Sequence, residues 1–186
     1  MVAQRALTGF EHILLGLVVT RPRSGYELKS FFSRTPAMVY EPSSGTLYPG
    51  LRRLEARGLL EGERESSAGR RLRLVYRATP AGEEAHRQWL SAPIEAGTVG
   101  RDLGLHLMRF AMAEALLPRE AVVKLVSDLA DALDAFVADM ERFTATAQLP
   151  GRHARLAVQH GIDVHRASLR WARSTIATLS EPDGQR

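Results

Sequence analysis

The sequence predicts a mainly α-helical protein of two units, the first carrying a single β-hairpin and the second built of helices alone, and three observations carry that reading. Leu47, Leu51 and Leu54 recur at the spacing of one buried helix face, between a serine pair and Gly58. Two short segments of alternating character, 59–66 and 72–79, flank a turn rich in small and cationic residues. From residue 118 onward, apolar residues step by four and three along two long stretches.

Taken in order, Phe10, Ile13, Leu14, Leu17 and Val18 make a first helix. It ends near Thr20, because Pro22 disfavours helical backbone at the residue before it. Ser24 can cap a second helix over 25–32 that turns Leu28, Phe31 and Phe32 inward. A Gly/Pro-containing linker leads to a third helix, with Ser43 or Ser44 as N-cap, its hydroxyl accepting from free backbone N–H groups, and Gly58 as the left-handed stop. The hairpin follows, with Arg70 and Arg71 at its tip. Thr79, Pro80 and Glu83 or Glu84 then form a helix start of the capping-box kind, and that helix carries Ala81, Ala85, Trp89 and Leu90 toward the core. Three helices plus a two-stranded wing is the winged helix-turn-helix layout, here assigned to residues 1–91.

The third helix is where chemistry is expected. Opposite its leucines stand Thr46, Tyr48, Pro49, Arg52 and Arg53. Hydroxyls and a phenol near a helix start suit phosphate and base-edge contacts, and arginine offers the donor fork that phosphates and guanine edges accept. An ordinary amphipathic surface helix would show the same pattern, and the hairpin that follows decides for a nucleic-acid reader.

Three blocks of residues in fixed order resemble the PadR-like transcriptional regulators. They are Ile13-Leu14-Leu15-Gly16-Leu17 with Ser24-Gly25-Tyr26-Glu27-Leu28; Gly45-Thr46-Leu47-Tyr48-Pro49 with Leu51-Arg52-Arg53-Leu54-Glu55-Ala56-Arg57-Gly58-Leu59; and Val75-Tyr76-Arg77-Ala78-Thr79 with Ala81-Gly82. The resemblance implies a homodimeric winged-helix repressor on an inverted-repeat operator, with an α-helical C-terminal dimerisation domain. Carried over by position, it implies that Tyr26, Ser43, Thr46, Tyr48, Arg52 and Arg53 touch double-stranded DNA, with Arg70 and Arg71 of the wing assisting. The chain departs from the family pattern at Ser24, where histidine is frequent, and at Gly69-Arg70-Arg71-Leu72-Arg73, where a Pro-Arg-Lys-like run is usual.

A break at 91–100, with Pro93, Gly97 and Gly100, separates this half from a helical dimerisation and effector domain over 92–186. Residues 102–114 are apolar on most sides through Leu103, Leu105, Leu107, Met108, Phe110 and Met112, which predicts deep burial. A heptad seam runs over 118–145 through Val122, Val126, Leu129, Leu133, Phe136, Met140 and Phe143. A second, over 153–179, runs through Ile162, His165, Leu169, Ala172, Ile176 and Leu179. The seams can pair within one chain or between two. A reader of two half-sites needs at least part of them between chains, so Leu129, Leu133, Phe136, Met140, Ile162, Leu169 and Ile176 are the dimerisation candidates.

Composition agrees. The chain has 186 residues, 45% apolar and 25% charged, as an ordinary globular protein does. Its formal charge of +4 is uneven. Residues 1–91 hold 14 Lys/Arg against 9 Asp/Glu and residues 92–186 hold 11 against 12, so the basic excess lies in the half expected to meet a polyanion. With no cysteine, disulfides, thiol switches and Cys-ligated metals are impossible. The longest apolar run, 13–19, is far below the ~20 residues of a membrane span, and a cytoplasmic location is expected.

Enzyme readings fail on the residues. His12, His86, His106, His153, His160 and His165 form no Ser/His/Asp arrangement and no His-x-x-x-His pair, so no metal is expected and the histidines are assigned to surface or seam positions. No phosphate-binding Gly-x-x-x-x-Gly-Lys occurs, and no cofactor is expected. Trp171 and Met108 are candidates to line a pocket for a small-molecule effector, with core packing the role the composition favours. A winged helix that serves only as a protein-interaction scaffold is the alternative to a DNA-binding regulator.

Overall fold

The computed structural model describes residues 5–35, 43–65 and 72–181, which divide into two compact units at Leu90 and Ser91. In the first, helix α1 (Gly9–Thr20) begins at a capping box in which Thr8 Oγ1 accepts from the Glu11 N–H and the Glu11 carboxylate accepts from the Thr8 N–H. Sequence inspection passed over this cap. Strand β1 (Arg23–Ser24) leads into α2 (Gly25–Arg34), where Ser24 and Glu27 close a second capping box. Helix α3 (Ser44–Ala56) follows, and Gly58, at φ +69°, ends it as expected.

Strands β2 (Leu60–Glu65) and β3 (Arg73–Ala78) form the hairpin, antiparallel, with Gly62 opposite Tyr76. This hairpin is the expected two-stranded wing, and a third strand joins its sheet. β1 pairs antiparallel with the other edge of β3, Arg23 opposite Tyr76 and Ser24 opposite Val75, which gives the order β1-β3-β2. Two residues are too few for alternation to register, and what holds them is Arg23, whose Nε donates to the Leu17 carbonyl at 2.9 Å while its guanidinium lies over the Phe31 ring at 5.2 Å.

Helix α4 (Pro80–Ser91) starts where expected, with Thr79 Oγ1 accepting from the Gly82 N–H and donating to the Gly58 carbonyl at 2.6 Å. Its inward face differs from the expected one: Gly82, His86 and Leu90 are buried, Ala81 is exposed, and Ala85 and Trp89 are half-buried. His86, assigned by sequence to a surface or seam, belongs to the core, and Trp89 stacks on the half-buried His12 ring at 4.6 Å. Ile13, Leu14, Leu15, Leu28, Leu47, Leu51, Leu54, Leu60 and Leu90 complete a core that locks the three helices of the helix-turn-helix to the sheet.

The second unit contains α5 (Val99–Ala113), α6 (Arg119–Thr146) and α7 (Gly151–Ser180). α5 begins inside the stretch read as a break, with non-helical backbone at Asp102. Deep burial of its leucines does not hold. Leu103, Leu105, Met108 and Phe110 are half-buried and Leu107 is exposed, whereas His106 and Arg109 are buried with Met112 and Ala113. The polar pair is held by Thr98 Oγ1, 3.0 Å from His106 Nε2, and by the Ala92 carbonyl, which accepts from Arg109. α6 and α7 run antiparallel, tied by Arg173 to Asp134 at 3.0 Å and Arg166 to Glu141 at 2.6 Å. Between them Val126, Leu129, Leu133, Leu169 and Ala172 form the core of the unit.

Candidate nucleic-acid interface

Helix α3 buries Leu47, Gly50, Leu51 and Leu54 on one side, so at 100° per residue its remaining surface has two flanks. Tyr48, Arg52 and Glu55 occupy the flank toward the wing. Arg53 and Arg57 occupy the flank toward α1.

At the start of the helix, Ser43, Ser44, Gly45 and Thr46 are all exposed. Ser43 is the N-cap residue, but its hydroxyl makes no capping bond; it lies 3.2 Å from Thr46 Oγ1 instead. The Thr46 N–H is taken by the Ser43 carbonyl, so the Ser44 and Gly45 N–H groups with the two exposed hydroxyls make the set of donors suited to an anion. Lys29 of α2 adds a cation there, its Nζ donating to Ser44 Oγ at 3.1 Å. Sequence reasoning missed Lys29, although its place one helical turn after Gly25, on the exposed flank beside Leu28 and Phe32, was a usable signal.

On the wing flank, Tyr26 is 76% exposed and Tyr48 38% exposed. They line one recess with Ser24, Arg52, Glu55, Arg73, Leu74 and Tyr76. Its floor is Gly25: a Cβ there would stand 2.5 Å from Tyr48 Cε1, so only glycine lets the phenol ring lie against the start of α2. Tyr76 is buried, and that burial, with Glu55 nearby, pushes its pKa up and keeps the phenol neutral. Arg52 is exposed and, among the described residues, makes no hydrogen bond or ion pair with any acid. Arg73 sits 3.8 Å from Glu27 and 3.7 Å from Glu65, and Arg77 is bound by Glu63 at 3.0 Å and Glu65 at 2.9 Å. The base of the wing is thus largely neutralised. Arg70 and Arg71, expected to assist, lie outside the described residues.

Arg53 is exposed on the polar side of α3, and it is also held by an acid. Its Nε donates to Glu11 Oε1 at 2.6 Å, and Glu11 is only 3% exposed. Of the sequence-assigned contacts, the structure therefore gathers Tyr26, Ser43, Thr46, Tyr48 and Arg52 on one outward surface and engages Arg53 elsewhere.

In the second unit, four of the seven dimerisation candidates, Leu129, Leu133, Ile162 and Leu169, are buried within the chain itself. Phe136, Met140 and Ile176 are half-buried. Phe143, Leu156 and Val164, at 51%, 55% and 41% exposure, are the large apolar side chains of α6 and α7 left to solvent. Trp171 packs edge-on against Phe110, ring centres 5.3 Å apart, as part of the core. Among the described residues no cluster of three or more His, Asp or Glu could hold a metal, and no helix is long and apolar enough to cross a membrane.

Known proteins align with this chain as follows. Residues 14–88 match the model of the Transcriptional regulator PadR-like family. Transcriptional regulator Rv3488 of Mycobacterium tuberculosis is 61% identical over 46 residues, which cover 25% of this chain and 42% of that protein, less than half of its length. Among solved structures, Bacillus subtilis PadR in complex with operator DNA is 18% identical, with a TM-score of 0.45 over 94% of this chain and 99% of that one. The PadR-like transcriptional regulator BC1756 from Bacillus cereus is 21% identical, with a TM-score of 0.44 over 96% and 99%. Residues 14–88, less than half of the chain, are thus similar to a family of transcriptional regulators.

Proposed function

We propose that the protein is a cytoplasmic repressor that binds an inverted-repeat operator as a homodimer, reading DNA with the outward surface of α3. The observation that carries this reading is the joint exposure of the Ser43 and Thr46 hydroxyls, the Tyr48 phenol and the Arg52 cation, which no acid among the described residues pairs, on one side of a helix whose other side is packed, with the exposed Tyr26 of α2 beside them. Helix start and hydroxyls suit the phosphate backbone, Arg52 suits a base edge or a phosphate, and the two tyrosines close over the sugar-phosphate chain beside them. Arg70 and Arg71 of the wing are proposed to reach the neighbouring backbone.

The second unit supplies the partner contact in this reading. Leu129, Leu133, Ile162 and Leu169 hold α6 to α7, and the homodimer forms on the surface that carries Phe143, Leu156 and Val164 beside the half-buried Phe136, Met140 and Ile176. Two copies would set two α3 helices about one DNA turn, ~34 Å, apart. A footprint of the purified protein on the DNA upstream of its own gene tests the reading. It expects two protected half-sites related by a dyad; protection of no site, or of one unrepeated site, contradicts it.

A further inference from the structure

We propose that Arg53 is a positioning residue that fixes the α3 helix to the capped start of α1, and that it does this instead of contacting DNA. The proposal rests on the DNA-binding reading of α3.

The Glu11 carboxylate is divided between two tasks. Oε2 accepts from the Thr8 N–H at 2.8 Å and from the Thr8 hydroxyl at 3.0 Å, closing the α1 cap, while Oε1 accepts from Arg53 Nε at 2.6 Å. Forty-two positions separate the partners, so the pair is a tertiary link and not a local helix contact. The carboxylate is almost fully buried. Although Arg53 itself is 53% exposed, drawing its Nε away to a phosphate would leave the buried Glu11 carboxylate with its Thr8 donors alone and without its cation. The same flank of α3 is tied down again by Arg57, whose Nη1 donates to the Arg5 carbonyl at 2.8 Å, just ahead of the α1 cap.

Arg52 stands in contrast. It is the adjacent residue, turned 100° toward the wing, and no acid among the described residues holds it. Two neighbouring arginines thus divide the work: one aligns the helix and the other is left for the ligand. Because α1 and α3 also meet where Leu14 packs on Gly50, the Glu11–Arg53 pair fixes the roll of α3 about that contact, and with it the direction in which Tyr48 and Arg52 point.

The experiment uses the full chain and the variants Arg52→Ala, Arg53→Ala, Arg53→Lys, Glu11→Gln and Glu11→Gln/Arg53→Ala. For each, the melting temperature and the affinity for a duplex containing the footprinted site are measured across a salt series. Arg53→Ala is expected to lower the melting temperature by about 5 °C and to weaken binding several-fold with the salt slope unchanged. Arg52→Ala is expected to leave melting unchanged and to flatten the slope by about one unit. Glu11→Gln, which removes no cation, should weaken binding as Arg53→Ala does, and the double variant should be no worse than either single one. Should Arg53→Ala leave too little folded protein, Arg53→Lys and Glu11→Gln carry the comparison. A flattened slope with unchanged melting for Arg53→Ala, or Glu11→Gln binding like the wild type, overturns the proposal. Absence of any salt-dependent binding by the wild type would instead overturn the DNA-binding reading, whereas additive melting shifts in the double variant would overturn the positioning role alone.

Discussion

At the scale of single residues, the interface turns on contacts that a helical wheel does not show. Tyr48 sits on the polar side of α3, yet its ring lies against Gly25 at the start of α2, so the phenol is aimed by a glycine 23 positions earlier in the chain. Tyr48→Phe should weaken DNA binding with little change in melting temperature, since the ring contact survives and only the hydroxyl is lost. Gly25→Ala should weaken binding further by pushing the ring away; both are checked by titration of a labelled duplex alongside a thermal melt. His86 makes a different prediction. Burial pushes its pKa from 6.5 down to about 4, and its Nδ1 has no hydrogen-bond partner among the described residues, so it is folded as the neutral ring. The unfolded chain takes up the proton first. The stability associated with neutral His86 is therefore complete above pH 6.5 and declines as the pH falls toward 4, by about 3 kcal/mol for a shift of this size. Denaturant melts at pH 7 and pH 4.5 should show that loss in the wild type and a smaller one in His86→Met.

At the scale of elements, the helices of the first unit were legible because each has its own punctuation. Ser24 starts α2, Gly58 stops α3, and Thr79 with Pro80 starts α4, all with the predicted backbone roles. What escaped was tertiary. β1 exists because β3 offers an edge and Arg23 is pinned to α1, and nothing in a two-residue segment announces either. The outward placement of Thr46 and Arg52 followed from periodicity and that of Tyr26 from the family resemblance, while the capture of Arg53 by Glu11 depends on a partner 42 positions away. The heptad seams fall on α6 and α7, with Phe143 of the first exposed, and periodicity cannot say which chain fills the other side of a seam. α6 and α7 fill much of theirs with each other. The exposed apolar positions that remain make the dimer reading testable. Leu156→Glu with Val164→Glu should convert a dimer to a folded monomer in light scattering, because neither side chain belongs to the α6–α7 core. A variant that stays dimeric places the interface elsewhere.

At the scale of the whole molecule, two units differ in what they expose. The first presents a packed helix with a charged, hydroxylated outer surface; the second spends few of its large apolar groups on solvent, and all of these but Leu107 lie on its two long helices. The excess of positive charge in residues 1–91 means that attraction to a polyanion should be felt by the first unit and weaken with salt. The central claim, that α3 reads DNA through its wing-side flank, is tested most directly by fluorescence anisotropy of a labelled duplex from the protein's own upstream region, titrated with wild type and Arg52→Ala between about 50 and 200 mM salt. The account expects wild-type affinity to fall steeply and linearly on a log–log plot, and Arg52→Ala to bind more weakly with a slope flatter by about one unit. Superimposable titrations of the two proteins, or wild-type binding indifferent to salt, would contradict it.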